Sequence, residues 1–392
     1  MTDVQKATAP DSAPPREAEG PGSLKAWAVP LLRCVGCGSA VVLHVFESNA
    51  RGDTLTGVLR CGGSQCRLWY PVVRGIPRML PADLRQELTR DFEQRFHAAL
   101  TALGVDVDGR AAASDDPLRD LKRHTIRNFG FEWIEYARFG WDDPVYDLAY
   151  EEALFRRKSL LEPQEINGRL VLDAGCGNGR YSYWAARNGA RVVGVDLGDG
   201  VESASINTRA LPDVQIVQGD IFRLPFAGRT FDAVFSIGVL MHTGDARLAT
   251  ARLAPLVRPG GSLTVHLYGK GNFIYEAVDW TLRQWTTRLS VERLQQVTRR
   301  FYRMRGGLER RGLADFANRF VRIGPHPHII FDWYAAPIAT HHTYREVLGW
   351  FREMGLPVVR TNEETPLPLK QRIVRPLAGM PGVVTVKGTV PA

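Results

Sequence analysis

No apolar run in this sequence is long enough to cross a bilayer as a helix, and no membrane partner is expected. Cysteine is scarce, five in 392 residues, which argues against a small disulfide-stapled scaffold. The stretch from Met1 to Ser23 is rich in Ala, Pro, Asp and Glu but has neither a basic start nor an apolar core. It does not read as a secretory leader; a disordered tail and a cytoplasmic, reducing setting are expected. Charge of one sign is in only modest excess, +8 with a pI near 9.4. That balance permits an anionic acceptor, RNA included, yet no recognisable RNA-binding motif surrounds the arginines. What is present is 44% hydrophobic residues, enough for one large core and a second, small module.

The most informative stretch is Val171-Leu172-Asp173-Ala174-Gly175-Cys176-Gly177-Asn178-Gly179. A continuous apolar run is how a buried parallel strand is written, and alternate glycines let the backbone turn sharply against a ligand before a helix starts. Tyr181 to Ala186 supplies the helix, and Arg191-Val192-Val193-Gly194-Val195-Asp196 a second strand ending in an acid. A carboxylate there suits a pair of ribose hydroxyls. The loop is tighter than the Gly-x-Gly-x-x-Gly of nicotinamide enzymes, and Asp173 just before it would repel a pyrophosphate and suit a cation. Gln218-Gly219-Asp220-Ile221 ends a third strand, Phe231 to Ser236 makes a fourth, and Arg258-Pro259-Gly260-Gly261 turns into a fifth, Ser262 to Leu267.

This series, from Leu170 to Tyr268, resembles the class I methyltransferases of the type 11 kind. The resemblance implies an α/β, Rossmann-like doubly wound sheet that binds S-adenosylmethionine. Asp173, Gly175, Gly177 and Gly179 would hold the amino-acid end of the cofactor, Asp196 the ribose, and Asp220 with Ile221 the adenine. Ser236 to Val239 would face the reacting methyl, since ligands of open α/β sheets sit at the carboxyl ends of the strands.

Four of the cysteines form two pairs, Cys34-Val35-Gly36-Cys37 and Cys61 with Cys66, separated by two candidate hairpin strands, Val41 to Phe46 and Thr54 to Leu59. Paired thiolates beside glycine turns suit a structural zinc, which leaves no open coordination position. Cys176, between two loop glycines, reads as a small packed residue. The cysteine pairs together with Tyr70-Pro71-Val72-Val73-Arg74-Gly75-Ile76-Pro77 resemble the zinc-ribbon module that activates certain tRNA and release-factor methyltransferases as a separate subunit. The second pair departs from that module in being spaced by four residues rather than two.

The expected organisation is therefore a tail over 1–23, a zinc-ribbon-like β module over 24–80, a helical linker and lid over 81–165 with a polar break from Gly109 to Pro117, and a methyltransferase domain over 166–392. A helical insertion is expected over 270–340, with Val291, Leu294, Val297, Phe301 and Met304 on one stripe. Phe129 and Trp133 stand at i and i+4 and can share one helical face over the ligand. The Phe-Gly-Phe-Glu-Trp segment resembles the lid of bacterial fusions of the zinc module to a methyltransferase.

Thr343 and Glu346 form a capping box, so His341 and His342 are expected in the loop before a helix. These two and His242, after the fourth strand, are the candidate bases for removing an acceptor proton. Strand four ends Ser236-Ile237-Gly238-Val239, without the Asn/Asp-Pro-Pro-aromatic signature of adenine or glutamine-amide methylation. A small-molecule acceptor of natural-product or glycan type is the leading reading. The alternatives are an RNA methyltransferase whose zinc module holds a stem, and a scaffold that binds the cofactor without turnover.

Overall fold

The computed structural model describes residues 22–81, 84, 87–105, 118–141, 148–362 and 382–392. The expected tail lies outside them except for Gly22 and Ser23, and the Ser23 hydroxyl donates to Asp53 Oδ2 at 3.0 Å. The polar break from Gly109 to Pro117 also lies outside the described residues.

A four-stranded antiparallel sheet comes first, in the order β1 (Val41–Ser48), β2 (Thr54–Cys61), β3 (Trp69–Val73) and β4 (Ile76–Pro77). The hairpin read from the sequence is β1 with β2, and Leu43 pairs with Leu59. The β3–β4 turn places Arg74 (φ 53°) and Gly75 (φ 73°) in the left-handed region, the backbone of a tight hairpin turn. A Cβ at Gly75 would lie 2.3 Å from Ser23 Cα, so the N-terminal segment packs directly on that turn.

Five helices follow: α1 (Glu87–Arg95), α2 (His97–Ala102), α3 (Arg119–Glu135), α4 (Leu148–Ser159) and the single turn α5 (Pro163–Ile166). A seven-stranded sheet is then built from β5 (Leu170–Ala174), β6 (Arg191–Asp196), β7 (Val214–Gln218), β8 (Phe231–Ile237), β9 (Val257–Tyr268), β10 (Val358–Thr361) and β11 (Val383–Thr389). Its order is β10-β11-β9-β8-β5-β6-β7, with β11 antiparallel to both neighbours and β5 to β9 parallel. Val171, Leu172, Val192, Val234, Leu263 and Val265 are fully buried, as strands covered by helices on both faces must be. The order reverses at β5, between β6 and β8, and that switch point opens a crevice at the carboxyl ends of the strands. This is the Rossmann-like doubly wound fold that the motifs implied.

The helices packed on this sheet are α6 (Arg180–Arg187), α7 (Gly200–Thr208), α8 (Ala246–Leu253) and α13 (Tyr344–Glu353). Between β9 and α13 runs the helical insertion: α9 (Phe273–Thr286), α10 (Val291–Glu309), α11 (Ala314–Ala317) and α12 (Pro327–Ala335). The stripe expected on α10 holds only in part. Leu294 is buried and Phe301 packs edge-on to Tyr334, but the helix outruns that contact and Met304 is 46% exposed.

The small sheet is not a separate bead. Met79 N–H donates to Gln218 O at 2.8 Å, extending the free edge of β7, and Arg33 N–H donates to Pro225 O at 2.8 Å. Leu24, Leu32, Tyr70 and Met79 share one apolar core with Val193, Val217 and Phe226. Arg78, buried at that seam, is paired with Glu202 on α7.

Candidate active site

The crevice at the switch point is a cavity of about 420 Å³. One half is lined by Gly175 and Gly177 of the loop after β5, Asp196 at the end of β6, and Asp220 with Ile221 after β7. Asp196 is held by two backbone donors, Gly177 N–H to Oδ2 at 2.9 Å and Gly198 N–H to Oδ1 at 3.1 Å, while burial pushes its carboxyl above the usual range. Asp220 accepts from Phe222 N–H through Oδ1 at 2.9 Å, and Oδ2 takes the Lys122 ammonium at 2.6 Å. Both members of that ion pair are buried, which ties α3 to the cavity.

Helix α3 forms the roof. Phe129 and Trp133, one turn apart, both stand in the cavity wall. Trp133 rests on the glycine loop so closely that a Cβ at Gly177 would lie 2.9 Å from Trp133 Cε2, and the loop's φ of 52° there also favours glycine.

Three residues expected to touch the cofactor lie elsewhere. Asp173 is buried beneath the loop, where Oδ2 accepts from the Ser182 hydroxyl at 2.7 Å, and it does not line the cavity. Burial raises its carboxyl to about 7. Gly179 packs on α7 instead, its missing Cβ leaving room for Ala204 Cα at 3.0 Å. The Ser236 hydroxyl donates to Ala174 O at 2.7 Å across β8 and β5, so the residues that reach the cavity from that strand are Ile237, Gly238 and Val239. For Asp173 and Ser236 the cause is strand alternation, since successive side chains point to opposite faces and a motif position alone does not say which; Gly179 is instead the residue that caps the start of α6.

The three histidines separate as well. His242 lines the cavity between Phe129 (ring centroids 5.3 Å apart) and Tyr268 (5.4 Å). Its Nδ1 is 2.8 Å from Ile338 O. A carbonyl only accepts, so the proton sits on Nδ1 and Nε2 carries a free lone pair, buried and without a hydrogen-bond partner. Burial pushes this imidazole down to about 3, so it is neutral at physiological pH. His341 stands one layer back, its Nδ1 bonded to Glu276 Oε2 at 2.7 Å and its ring stacked on Trp333. His342 faces the other way, towards Thr340 Oγ1 at 2.8 Å and the Trp350 ring. Neither borders the cavity.

The other half of the cavity was not assigned from sequence. Tyr268 at the end of β9 stacks on Trp333 at 4.3 Å and donates its hydroxyl to Asp332 Oδ2 at 3.1 Å. Desolvation in this wall raises the carboxyl of half-buried Asp332 above its ordinary range. His328 stacks on Phe139 at 4.0 Å, with Nε2 2.8 Å from Glu132 Oε1. Burial drives Glu132 well above and His328 well below their ordinary values, so both are uncharged. Lys158, Arg180 and Arg322 are the cations on this side. Only Asp332 and Trp333, inside the aromatic segment before the histidine pair, left a trace in the sequence.

Apart from this cavity, the cysteine pairs converge. The sulfurs of Cys34, Cys37, Cys61 and Cys66 all lie within 4.8 Å of one another, with Cys34–Cys66 at 3.7 Å and Cys37–Cys61 at 3.3 Å. A tetrahedral zinc with bonds of about 2.3 Å requires sulfurs about 3.8 Å apart, so the set fits that ion.

Residues 172–265 match the family described as a methyltransferase domain. Among curated proteins, the chain is 38% identical over 107 residues to a ubiquinone biosynthesis O-methyltransferase of Rhizobium etli, covering 26% of this chain and 42% of that protein. It is 33% identical over 117 residues to a demethylmenaquinone methyltransferase of Thermobifida fusca, covering 29% and 50%. The chain thus spans about half the length of the curated relatives it matches. A solved complex of the Haloferax volcanii Trm112 methyltransferase activator with a methyltransferase aligns at 17% identity and a TM-score of 0.38, over 67% of this chain and 98% of that one. The matched stretch is similar to methyltransferase domains and has the Rossmann-like fold.

Proposed function

We propose that this chain methylates a compact small-molecule acceptor bearing a hydroxyl, using S-adenosylmethionine held by the loop after β5, Asp196 and the Asp220–Ile221 turn. When bound, the cofactor supplies an electrophilic methyl group. The observation that carries the reading is the His242 imidazole, whose proton is fixed on Nδ1 by Ile338 O, whose buried Nε2 has no partner among the described residues, and whose side chain lines the same cavity as Asp196. Nε2 would accept the acceptor's proton as its oxygen takes the methyl group, the electron pair of the broken carbon–sulfur bond leaving with S-adenosylhomocysteine, and the Ile338 carbonyl would support the charged ring.

A base with so low an affinity for protons acts late, once the oxygen has begun to lose electron density. The larger part of the acceleration then comes from orientation and the exclusion of water. Phe129, Trp133, Tyr268 and Trp333 supply that closed, apolar wall. A cavity of about 420 Å³ roofed by aromatic rings suits a small ligand better than an RNA stem, which calls for an open basic groove.

The four cysteines hold a structural zinc in this reading, stapling a β module too small to be stable on its own core. A panel of hydroxylated aromatic and glycosidic acceptors, scored by S-adenosylhomocysteine release, tests the function. His242→Ala is expected to lower turnover on the active acceptor by about 10²- to 10⁴-fold at unchanged cofactor affinity. Unchanged turnover would remove His242 from the mechanism, and tight cofactor binding with no turnover on any acceptor would favour the scaffold.

A further inference from the structure

Helix α9 is built inside out. Its inward residues are Tyr275, Asp279, Arg283 and Thr286, all buried, and Asp279 is bonded to Arg283 Nε at 2.8 Å and to Trp333 Nε1 at 2.6 Å. Its outward residues are Phe273 (63% exposed), Ile274 (39%), Trp280 (65%) and Trp285 (50%). A helix of a water-exposed surface carries the opposite pattern. At about 100° per residue, Phe273 and Trp280 share one line along the helix and Ile274 and Trp285 a second, roughly a third of a turn away, with Ala277, Thr281 and Gln284 between them. Among the described residues, the other exposed members of this face and the turn after it are Ala277, Thr281, Gln284 and Arg288, while half-buried Glu276, bonded to His341, borders the Phe273–Trp280 line.

The patch continues beyond α9. Asn272 Nδ2 donates to Arg319 O at 2.8 Å, which brings the start of α9 beside the α11 region, where Phe316 is 61% exposed. Exposed Arg319 adjoins one end of the patch, and Arg288 the other; among the described residues the acids near it are exposed Asp315 and half-buried Glu276, the latter bonded to His341. Two exposed tryptophans and two phenylalanines, flanked by arginines on a chain of net charge +8, match an interfacial helix on an anionic bilayer.

We propose that the outward face of α9, with Phe316, docks this protein onto anionic lipid surfaces, lying in the interface without spanning it. This revises the expectation of no membrane partner, which followed only from the lack of a spanning helix. The opposite face of α9 holds Trp333 of the cavity wall, so docking sets the acceptor half of the cavity close to the bilayer. The inference stands on the α9 surface alone and does not depend on the methyl-transfer reading.

Co-sedimentation of the full chain with vesicles of phosphatidylcholine and phosphatidylglycerol, against vesicles of phosphatidylcholine alone, tests it. Binding is expected to the anionic vesicles, to fall with added salt, and to drop about tenfold or more in Phe273→Ser/Trp280→Ser. An Arg288→Glu variant, which leaves every apolar residue in place, is expected to weaken binding to the anionic vesicles alone. Far-UV circular dichroism and thermal melts identical to wild type establish that the variants are folded. Absence of binding to anionic vesicles at low salt overturns the proposal, as does binding that the double variant retains. Light scattering that shows a wild-type dimer, monomeric in the double variant and without vesicle affinity, assigns the face to a second copy instead.

Discussion

Burial decides the chemistry of the single side chains here more than charge pairing does. Asp173 illustrates it: among the described residues no cation lies on it, one oxygen accepts from Ser182, the other has no partner, and its carboxyl is raised to about 7. An acid whose folded value lies above its unfolded one binds more protons when folded, so its contribution to stability is lost as pH rises from about 4 to about 7. The slope is at most about 1.4 kcal/mol per pH unit. Asp173→Asn keeps the shape and removes this ionisation. Thermal melts of cofactor-free protein should therefore show the variant gaining on wild type between pH 4 and pH 7, and a difference flat across that range would contradict the buried-acid account. His242, His266 and His328, all lowered by burial, act in the opposite sense by favouring unfolding in acid, but they are common to both proteins and cancel in the comparison.

Between elements, the decisive contacts are those that join the small β module to the sheet. Arg78 is buried with its guanidinium on Glu202, on Gln218 Oε1 at 3.3 Å and on Val73 O at 3.5 Å. Glu202→Ala leaves that cation buried without its counter-charge, a change that costs about 3 kcal/mol. Chemical denaturation should register the loss, and adding Arg78→Met should recover most of it, because the double change also removes the stranded charge. If the double variant is no more stable than the single one, the pair is not acting as a buried ion pair. For the cysteine knuckles, protein purified without chelator should contain one zinc per chain by elemental analysis, and Cys37→Ser should lose it. Metal-free wild type would leave the four thiols as packing residues.

Which parts were legible follows from the same physics. Strands β5, β6 and β8 were readable because fully buried parallel strands are near-continuous apolar runs, and the helix α13 because Thr343 and Glu346 form both halves of its capping box. The glycine loop, Asp196 and Asp220 were found at the cavity for a similar reason: motif spacing fixes the backbone of a tight turn. Facing was not legible. Asp173 and Ser236 sit in readable strands yet turn away from the cavity, and of the adjacent His341 and His342 one supports Trp333 while the other caps onto Trp350. The other half of the cavity depends on α12, whose Asp332 and Trp333 meet Tyr268 only through long-range packing. The inverted pattern of α9 gave no signal either, since an amphipathic period does not say which side faces the core.

At the scale of the whole molecule, the seven-stranded sheet, helix α3 and the helical insertion converge on a cavity at the switch point, while the small sheet is added to the β7 edge away from it. The central claim is that this cavity binds S-adenosylmethionine through Asp196. Calorimetric titration of the cofactor into the wild-type chain and into Asp196→Ala tests it most directly. Saturable binding of one cofactor per wild-type chain is predicted, with a loss of about 2–3 kcal/mol or more in the variant, the strength of a charge-assisted pair of hydrogen bonds. A folded wild-type chain that takes up no cofactor, or an Asp196→Ala variant that binds as tightly as wild type, would contradict it.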